Sequence, residues 1–362
     1  MADNYKRNWE KFRDQQLITV ALLLQKLGFV LDEKQVHIGG ERYLSGDKKL
    51  VLLGQRTSDN KKVIIKVSND KAMIREIDSE WNARKILSKI DFAYHVFSSP
   101  AEILYTKKQD YTILVTEFIE QKISFLERPL QDQFFIALKI FESQEAVHAT
   151  THEHAKLIAK TFGIWTADTY LKKLNENSYN IEQALVDKPE LNKLLQNLRN
   201  FFQSNLVVID LYANFLTHWD LVPHNFRVRG NELYLLDHSS IRFGNKYEGW
   251  ARFINFMTLH NGQLAELLLK YIKDNRNKSE YLVLRLMRLF RLTELIWYYT
   301  NTLENAVGDH KILNKKRIDL WINVLSSVLE DKLVDNHFIE EYKQERDNLR
   351  SEEEKQRQIG LH

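Results

Sequence analysis

The 362-residue chain has no cysteine, only 4 prolines and 12 glycines, and a nearly even balance of 52 Lys plus Arg against 49 Asp plus Glu. Each scarcity excludes something. Without cysteine there can be no disulfide framework, no Cys-ligated zinc or iron–sulfur site and no thiol nucleophile, and a reducing cytoplasm is the expected setting. Little proline and glycine argues against a disordered or fibrous chain. A net charge of +3 is far from the basic footprint of a dedicated nucleic-acid binder, so no nucleic-acid partner is expected. The near-apolar run from Leu17 to Leu24 is much shorter than the roughly 18 residues a membrane span needs. The segment before it carries acidic residues and has no apolar signal core, so a soluble cytoplasmic protein without a membrane partner is expected. No Gly-Lys dipeptide occurs, which removes a Walker-type phosphate loop.

What is present is 44% apolar residues in a chain long enough for two cores or one bilobal unit. Trp9, Phe12, Leu17, Val20, Leu24 and Leu27 fall close to a helical stripe, with Gly28 as a stop, which predicts an N-terminal helix within residues 1–35. From Val36 to Phe118 the chain breaks into short β-rich runs, VHI, KKLVLLG, KKVIIKV, AEILYT and YTILVTEFI. Turn-forming SGDK and SDNK separate the first three, so an antiparallel meander is expected, interrupted by one helix over Ile74 to Ile90. Beyond Gln131 the pattern is helical over 132–149, 152–174, 181–204, 262–273, 280–303 and 315–331. The exception is Thr217 to Gly244, with two β-like runs, FRVR and ELYLLD, around a Gly-Asn turn. The fold class is therefore α+β: a small antiparallel β-rich lobe with one helix, residues 36–119, then a larger helical lobe, residues 120–331, with a cleft between them. The charged stretch EEYKQERDNLRSEEEKQRQ within 332–362 reads as a solvated helix or tail.

The stretch THWDLVPHNFRVRGNELYLLDHSS carries His218, Asp220, Asn225 and Asp237. A hairpin between them would fix two carboxylates and an amide oxygen at one end of a rigid strand pair. Such oxygen ligands suit Mg²⁺, which takes one or two carboxylates plus substrate phosphates. With Asn225 and Asp237 on the metal, Asp220 is left to accept a proton from a hydroxyl. Upstream, Lys66 closes the apolar strand VIIK. Alternation puts it on the face of Ile64, opposite Val63 and Ile65, so it should point toward covered space, where it can meet phosphate and pair with Glu80.

With these residues in place, the chain resembles the aminoglycoside phosphotransferase-like branch of the protein-kinase-like superfamily. The catalytic loop of that family reads like H-G-D-L-H-P-G-N, and here it stands as His218-Trp219-Asp220-Leu221-Val222-Pro223-His224-Asn225, followed by Asp237 in LYLLDHSS. The resemblance implies a bilobal protein-kinase-like fold and transfer of the γ-phosphate of ATP, or GTP, with Mg²⁺, to a hydroxyl of a small molecule. Asp220 would be the catalytic base or hydroxyl-positioning group, His218 a structural member of the catalytic loop, and Asn225 and Asp237 the metal ligands. Lys66 and Glu80 would be the strand-three lysine and its helix partner, with Glu76 the other register. The backbone at Glu117 and Ile119 would meet adenine, and Gly39 and Gly40 would stand in the nucleotide loop.

The chain departs from that pattern. Its nucleotide loop has no G-x-G-x-x-G, Trp219 and His224 replace glycines of the catalytic loop, and Gly249-Trp250-Ala251-Arg252 stands where an Asp before Leu-Ala-Arg is frequent, unless Glu248 substitutes. A catalytically impaired nucleotide-binding pseudokinase or scaffold is the alternative reading. A protein kinase is disfavoured because no Ala-Pro-Glu follows Asp237. His148, His152 and His154 have spacing for two imidazoles on one metal but no evident third ligand. Arg285, Arg288 and Arg291 read as a solvated flank, and one of Trp297, Tyr298 and Tyr299 is a candidate to line an acceptor pocket.

Overall fold

The computed structural model describes residues 2–92, 96 and 98–361, the last three as backbone only. Helix α1 (Ala2–Gln25) buries Trp9, Val20, Leu23 and Leu24. After the stop at Gly28 come strands β1 (Phe29–Leu31), β2 (Leu50–Arg56) and β3 (Lys62–Ser68), helix α2 (Lys71–Leu87), and strands β4 (Glu102–Lys108) and β5 (Tyr111–Glu117). The sheet order is β1-β2-β3-β5-β4, antiparallel throughout. Only the first three strands form a meander, because α2 intervenes and β5, not β4, pairs with β3. Helix α2 begins earlier than its apolar pattern suggests because the Asp70 carboxylate accepts the Ala72 and Met73 N–H groups.

Val36–Ile38, expected as a strand, is a 3-10 turn, and the edge strand is Phe29–Leu31. Phe29, directly after the stop of α1, is buried and pairs with Arg56, so the segment that follows the helix takes the edge position beside β2.

The helical lobe comprises α3 (Leu130–Ala146), α4 (His148–Glu153), α5 (Ala155–Phe162), α6 (Ala167–Ala184), α7 (Pro189–Gln203) and α8 (Leu206–Leu211). Strands β6 (Phe215–His218), β7 (Phe226–Arg229), β8 (Glu232–Leu235) and β9 (Ile241–Gly244) follow, paired as β6–β9 and β7–β8. Then come α9 (Glu248–His260), α10 (Gly262–Asn275), α11 (Lys278–Thr302), α12 (Gly308–Leu329), α13 (Asn336–Leu349) and α14 (Glu352–Leu361). The expected helix over 152–174 is broken where Ile164 bridges to Phe243, and that over 181–204 where Pro189 opens α7. At the centre α11 buries Leu284, Leu286, Met287, Leu289, Phe290 and Leu292 completely, so it carries apolar side chains all round. Among the described residues no helix is long and apolar enough to cross a membrane.

The charged C-terminus is not a solvated tail. The Glu354 side chain of α14 is fully buried, accepts the Glu41 N–H at 2.9 Å and pairs with Arg357 at 2.8 Å. Glu41 also takes both terminal nitrogens of Arg317 on α12, at 2.7 and 3.0 Å, and the Tyr43 hydroxyl meets His310 Nδ1 at 2.9 Å. Helices α12 and α14 thus clamp the segment between β1 and β2. Mixed charge along a helix cannot show this, because the partner is a backbone N–H 313 residues away in sequence.

This clamp makes stability pH-dependent. Burial, then the nearby Arg227 and Arg357 guanidinium groups, lower His37 from its ordinary 6.5 to about 4. The unfolded chain therefore binds the proton more readily than the folded one. Stability is full above about pH 6.5, declines as pH falls, and stops declining through this group near pH 4. His310 is lowered too, chiefly by burial, and acts in the same direction. In urea melts between pH 4 and 7.5, His37→Gln is expected to flatten part of the slope; an unchanged slope would remove His37 from this role.

Candidate active site

The hairpin β7–β8 sets the site. Its register pairs Phe226 with Leu235, and the Leu236 N–H donates to the Asn225 carbonyl at 2.8 Å, so Asn225 and the residue preceding Asp237 face each other at the hairpin's open end. The Asn225 Nδ2 donates to the Asp220 carbonyl at 2.8 Å and to Asp220 Oδ2 at 3.1 Å, which turns its Oδ1, a free acceptor among the described residues, away from Asp220. Asp237 holds a left-handed backbone, φ 53° and ψ 61°. For a residue other than glycine that conformation stores about 1–3 kcal/mol, and the Ser239 and Ser240 hydroxyls hold it by donating to the carboxylate at 3.0 and 3.1 Å.

Lys66 joins the two lobes. Its Nζ lies 2.5 Å from Glu80 Oε2 on α2 and 3.2 Å from Asp237 Oδ1. Glu76 pairs instead with Lys49, so Glu80 is the helix residue that reaches Lys66. Burial opposes the Lys66 charge, but Glu80 and Asp237 outweigh it and raise its pKa. Burial likewise opposes the Asp237 charge, and Lys66, Lys49 and His218 outweigh that and hold the carboxyl far below its usual range. Both groups are charged at neutral pH.

Asp220 is less simple. Arg252 of α9 donates Nε to its Oδ1 at 2.7 Å, and Arg291 of α11 approaches the same oxygen at 3.8 Å. Burial raises the Asp220 pKa, but these two guanidinium groups prevail and lower it. His218 is fully buried at the end of β6 and joins Leu236 O through Nε2 at 2.9 Å. It ties the catalytic loop to the strand that delivers Asp237 and has no exposed edge for a substrate.

At the lobe junction the Glu117 N–H is engaged by Ala101 O at 2.9 Å and its carboxylate by Arg229 at 2.8 Å, while Ile119, buried, has an N–H without a hydrogen-bond partner among the described residues. Gly39 and Gly40 are placed otherwise than expected. At Gly40, whose φ is 58°, a Cβ would stand 3.2 Å from the Glu354 Cα, so close approach of α14 accounts for that glycine, whereas at Gly39 it would meet only the end of the Glu353 side chain.

Glu248 does not support the loop over 218–225. Completely buried, it accepts the Tyr170 hydroxyl at 2.7 Å and pairs with Arg242 of β9 at 3.1 Å. At Gly249 a Cβ would stand 2.9 Å from the His218 carbonyl and 3.1 Å from Thr217 Oγ1, so α9 packs directly on the loop where a carboxylate would not fit. Gly249→Ala is expected to cost about 1–3 kcal/mol in a urea melt, as overpacking does, with a matching loss at the site. A variant as stable as wild type would show that α9 can move away freely.

Among the described residues no three His, Cys, Asp or Glu side chains converge on a metal. His148 stacks on Phe215 with 3.8 Å between centroids, which is packing and not ligation. One carboxylate and one amide, as in Asp237 and Asn225, are the donors expected for Mg²⁺ that is also held by phosphates.

Two residues beside Asp220, Arg252 and Arg291, were not expected there from the sequence. Arg288 and Arg291 are both 5% exposed and not a solvated flank. Arg288 donates to Asn255 and Arg291 reaches toward Asp220. Arg285 caps the end of α12 by donating to Val328 and Leu329 carbonyls. The signal was available: a helix with leucines on every side is buried, and its arginines with it. Tyr298 is the exposed member of its aromatic triplet, at 45%.

No protein-family model and no curated protein matches this sequence. Solved structures do match. A thermostable mutant of aminoglycoside phosphotransferase APH(4)-Ia in its apo form superposes with TM-score 0.56 at 12% identity, covering 83% of this chain and 97% of that one. Macrolide 2'-phosphotransferase type I gives 0.55 at 12% identity, covering 83% and 96%. Spectinomycin phosphotransferase APH(9)-Ia, in complex with ADP and spectinomycin, gives 0.50 at 12% identity, covering 88% and 92%. The fold is thus the bilobal protein-kinase-like one of these antibiotic phosphotransferases.

Proposed function

We propose that the protein is a small-molecule phosphotransferase that uses Mg²⁺ and ATP, or GTP, to phosphorylate a hydroxyl group. The observation that carries this reading is the Glu80–Lys66–Asp237 ion chain across the cleft, one residue from the strand position that faces Asn225 and so joined to Asp220. When nucleotide is bound, Lys66 would exchange Asp237 for phosphate while Glu80 keeps it in place. The free N–H of Ile119 and the backbone of Glu117 would position adenine. Asn225 Oδ1 and the Asp237 carboxylate would hold the metal, which supplies charge neutralisation on the β- and γ-phosphates. Asp220, ionised at neutral pH, would accept the hydroxyl hydrogen bond, aim the oxygen at phosphorus and take its proton as the bond to the leaving nucleoside diphosphate breaks. Gly39 and Gly40 have no part in this reading.

One observation favours the impaired alternative: Arg252 already occupies Asp220 Oδ1. Among the described residues Oδ2 bonds to Asn225 alone, and the Asp220 side chain is 25% exposed, which leaves room for an acceptor hydroxyl. Thermal melts with ATP and GTP, each with and without Mg²⁺, together with a mass-detected acceptor screen, test the proposal. Nucleotide should raise the melting temperature more with Mg²⁺ than without, by mass action on the native state. Equal shifts, or none, would remove the metal assignment, and Mg²⁺-dependent binding without transfer to any acceptor would favour the impaired enzyme.

A further inference from the structure

We infer that the acceptor is an anion: a hydroxyl compound carrying a carboxylate or phosphate near the hydroxyl that is phosphorylated. This rests on the phosphotransferase reading and concerns which alcohol the site takes. Arg252 uses one donor on Asp220, and its Nη1 and Nη2 have no hydrogen-bond partner among the described residues. Arg291 gives Nη1 to Glu294, reaches Asp220 with Nη2 at 3.8 Å, and has a buried Nε with no partner among the described residues. Two guanidinium groups with spare donors therefore converge on the carboxylate that must meet the acceptor. The buried Arg291 Nε lacks a partner, which is costly for a charged donor, and the two unpaired Arg252 nitrogens, which are not sealed in the interior, are left to meet an acceptor group that the protein does not itself provide.

Arg291 is held there by an alternating stack. Trp165, Arg242, Trp219 and Arg291 follow one another, with guanidinium-to-ring distances of 3.9, 4.4 and 4.6 Å. Each such contact is worth about 0.5–2 kcal/mol and fixes the plane of the guanidinium. Trp219, a glycine in similar catalytic loops, is thereby the plate on which Arg291 rests. Each of the carboxylates nearby already faces a guanidinium. Asp220 is paired with Arg252, Glu294 with Arg291, and Glu248 with Arg242. A polycationic acceptor would find these three carboxylates already facing guanidinium groups, whereas a carboxylate or phosphate would find donor forks of matching shape.

The test uses small matched probes on the full chain with the nucleotide site filled by Mg²⁺ and AMP-PNP: D-glycerate, sn-glycerol 3-phosphate, glycerol and the cationic serinol, titrated by ligand-observed NMR. At least one of the two anions is expected to bind about tenfold or more tightly than glycerol and serinol, and the stronger of the two tells carboxylate from phosphate. Arg252→Gln and Arg291→Gln should each abolish that preference, and Arg252→Lys should restore part of it by returning charge without the fork. Each variant is read only beside a cooperative melt, and Arg252→Gln, nearer the surface, serves if Arg291→Gln fails to fold. Equal affinity for anions and glycerol, preference for serinol, or an anion preference unchanged in the variants would overturn the inference. Failure of Mg²⁺ and AMP-PNP to bind the wild type would instead overturn the phosphotransferase reading.

Discussion

Replacing Asp220 by Asn is expected to lower phosphoryl transfer by about 10² to 10⁴ while leaving nucleotide binding nearly intact. The substitution keeps the size of the side chain and an oxygen for the Arg252 Nε, but removes the charge that two guanidinium groups balance. Lys66, Glu80, Asn225 and Asp237 remain, so affinity for the nucleotide should hold. The loss should appear in kcat, because the interaction with the acceptor proton forms mainly in the transition state. Single-turnover transfer measured beside nucleotide titration checks this. Transfer near the wild-type rate would remove Asp220 from the reaction, and loss of nucleotide binding would recast it as a structural residue.

Lys66→Ala is expected to weaken nucleotide binding and also to destabilise the protein, by about 3–5 kcal/mol, because it leaves a buried carboxylate without its partner. Glu80 is only 3% exposed, so it cannot readily reach water to recover its hydration, whereas the partly exposed Asp237 can. Adding Glu80→Gln to Lys66→Ala should recover much of the stability but none of the nucleotide affinity. That pattern separates the two roles of the lysine. In urea melts, a Lys66→Ala protein as stable as wild type would show that the ion chain contributes nothing to the fold.

The site was more legible in the sequence than the parts that close it. Asp220, Asn225 and Asp237 were readable because a short hairpin encodes their relation within 18 residues, and the strand alternation around Lys66 announces a charged residue on a covered face. Glu80 followed from one helix away. The strand Phe29–Leu31 was not readable, since three residues after a helix stop carry no period, and its place is fixed by pairing with Gly54 to Arg56. The contact of Glu354 with the Gly39–Gly40 turn joins the two ends of the chain, and no local pattern encodes it. Arg291 was visible but misplaced: spacing of three along α11 suggested a polar flank, whereas the helix is enclosed and the stack with Trp219 requires the guanidinium inside.

In the proposed function Lys66, Asn225 and Asp237 form one nucleotide–metal site facing Asp220. A crystal structure of the protein with Mg²⁺ and AMP-PNP tests it most directly. The expected result is adenine at the Ile119 N–H, Lys66 on the phosphates with Glu80 still bound, the metal between Asn225 Oδ1 and Asp237, and the γ-phosphate within reach of a hydroxyl at Asp220 Oδ2. Nucleotide bound elsewhere, or in the cleft with its metal away from Asn225 and Asp237, would contradict it.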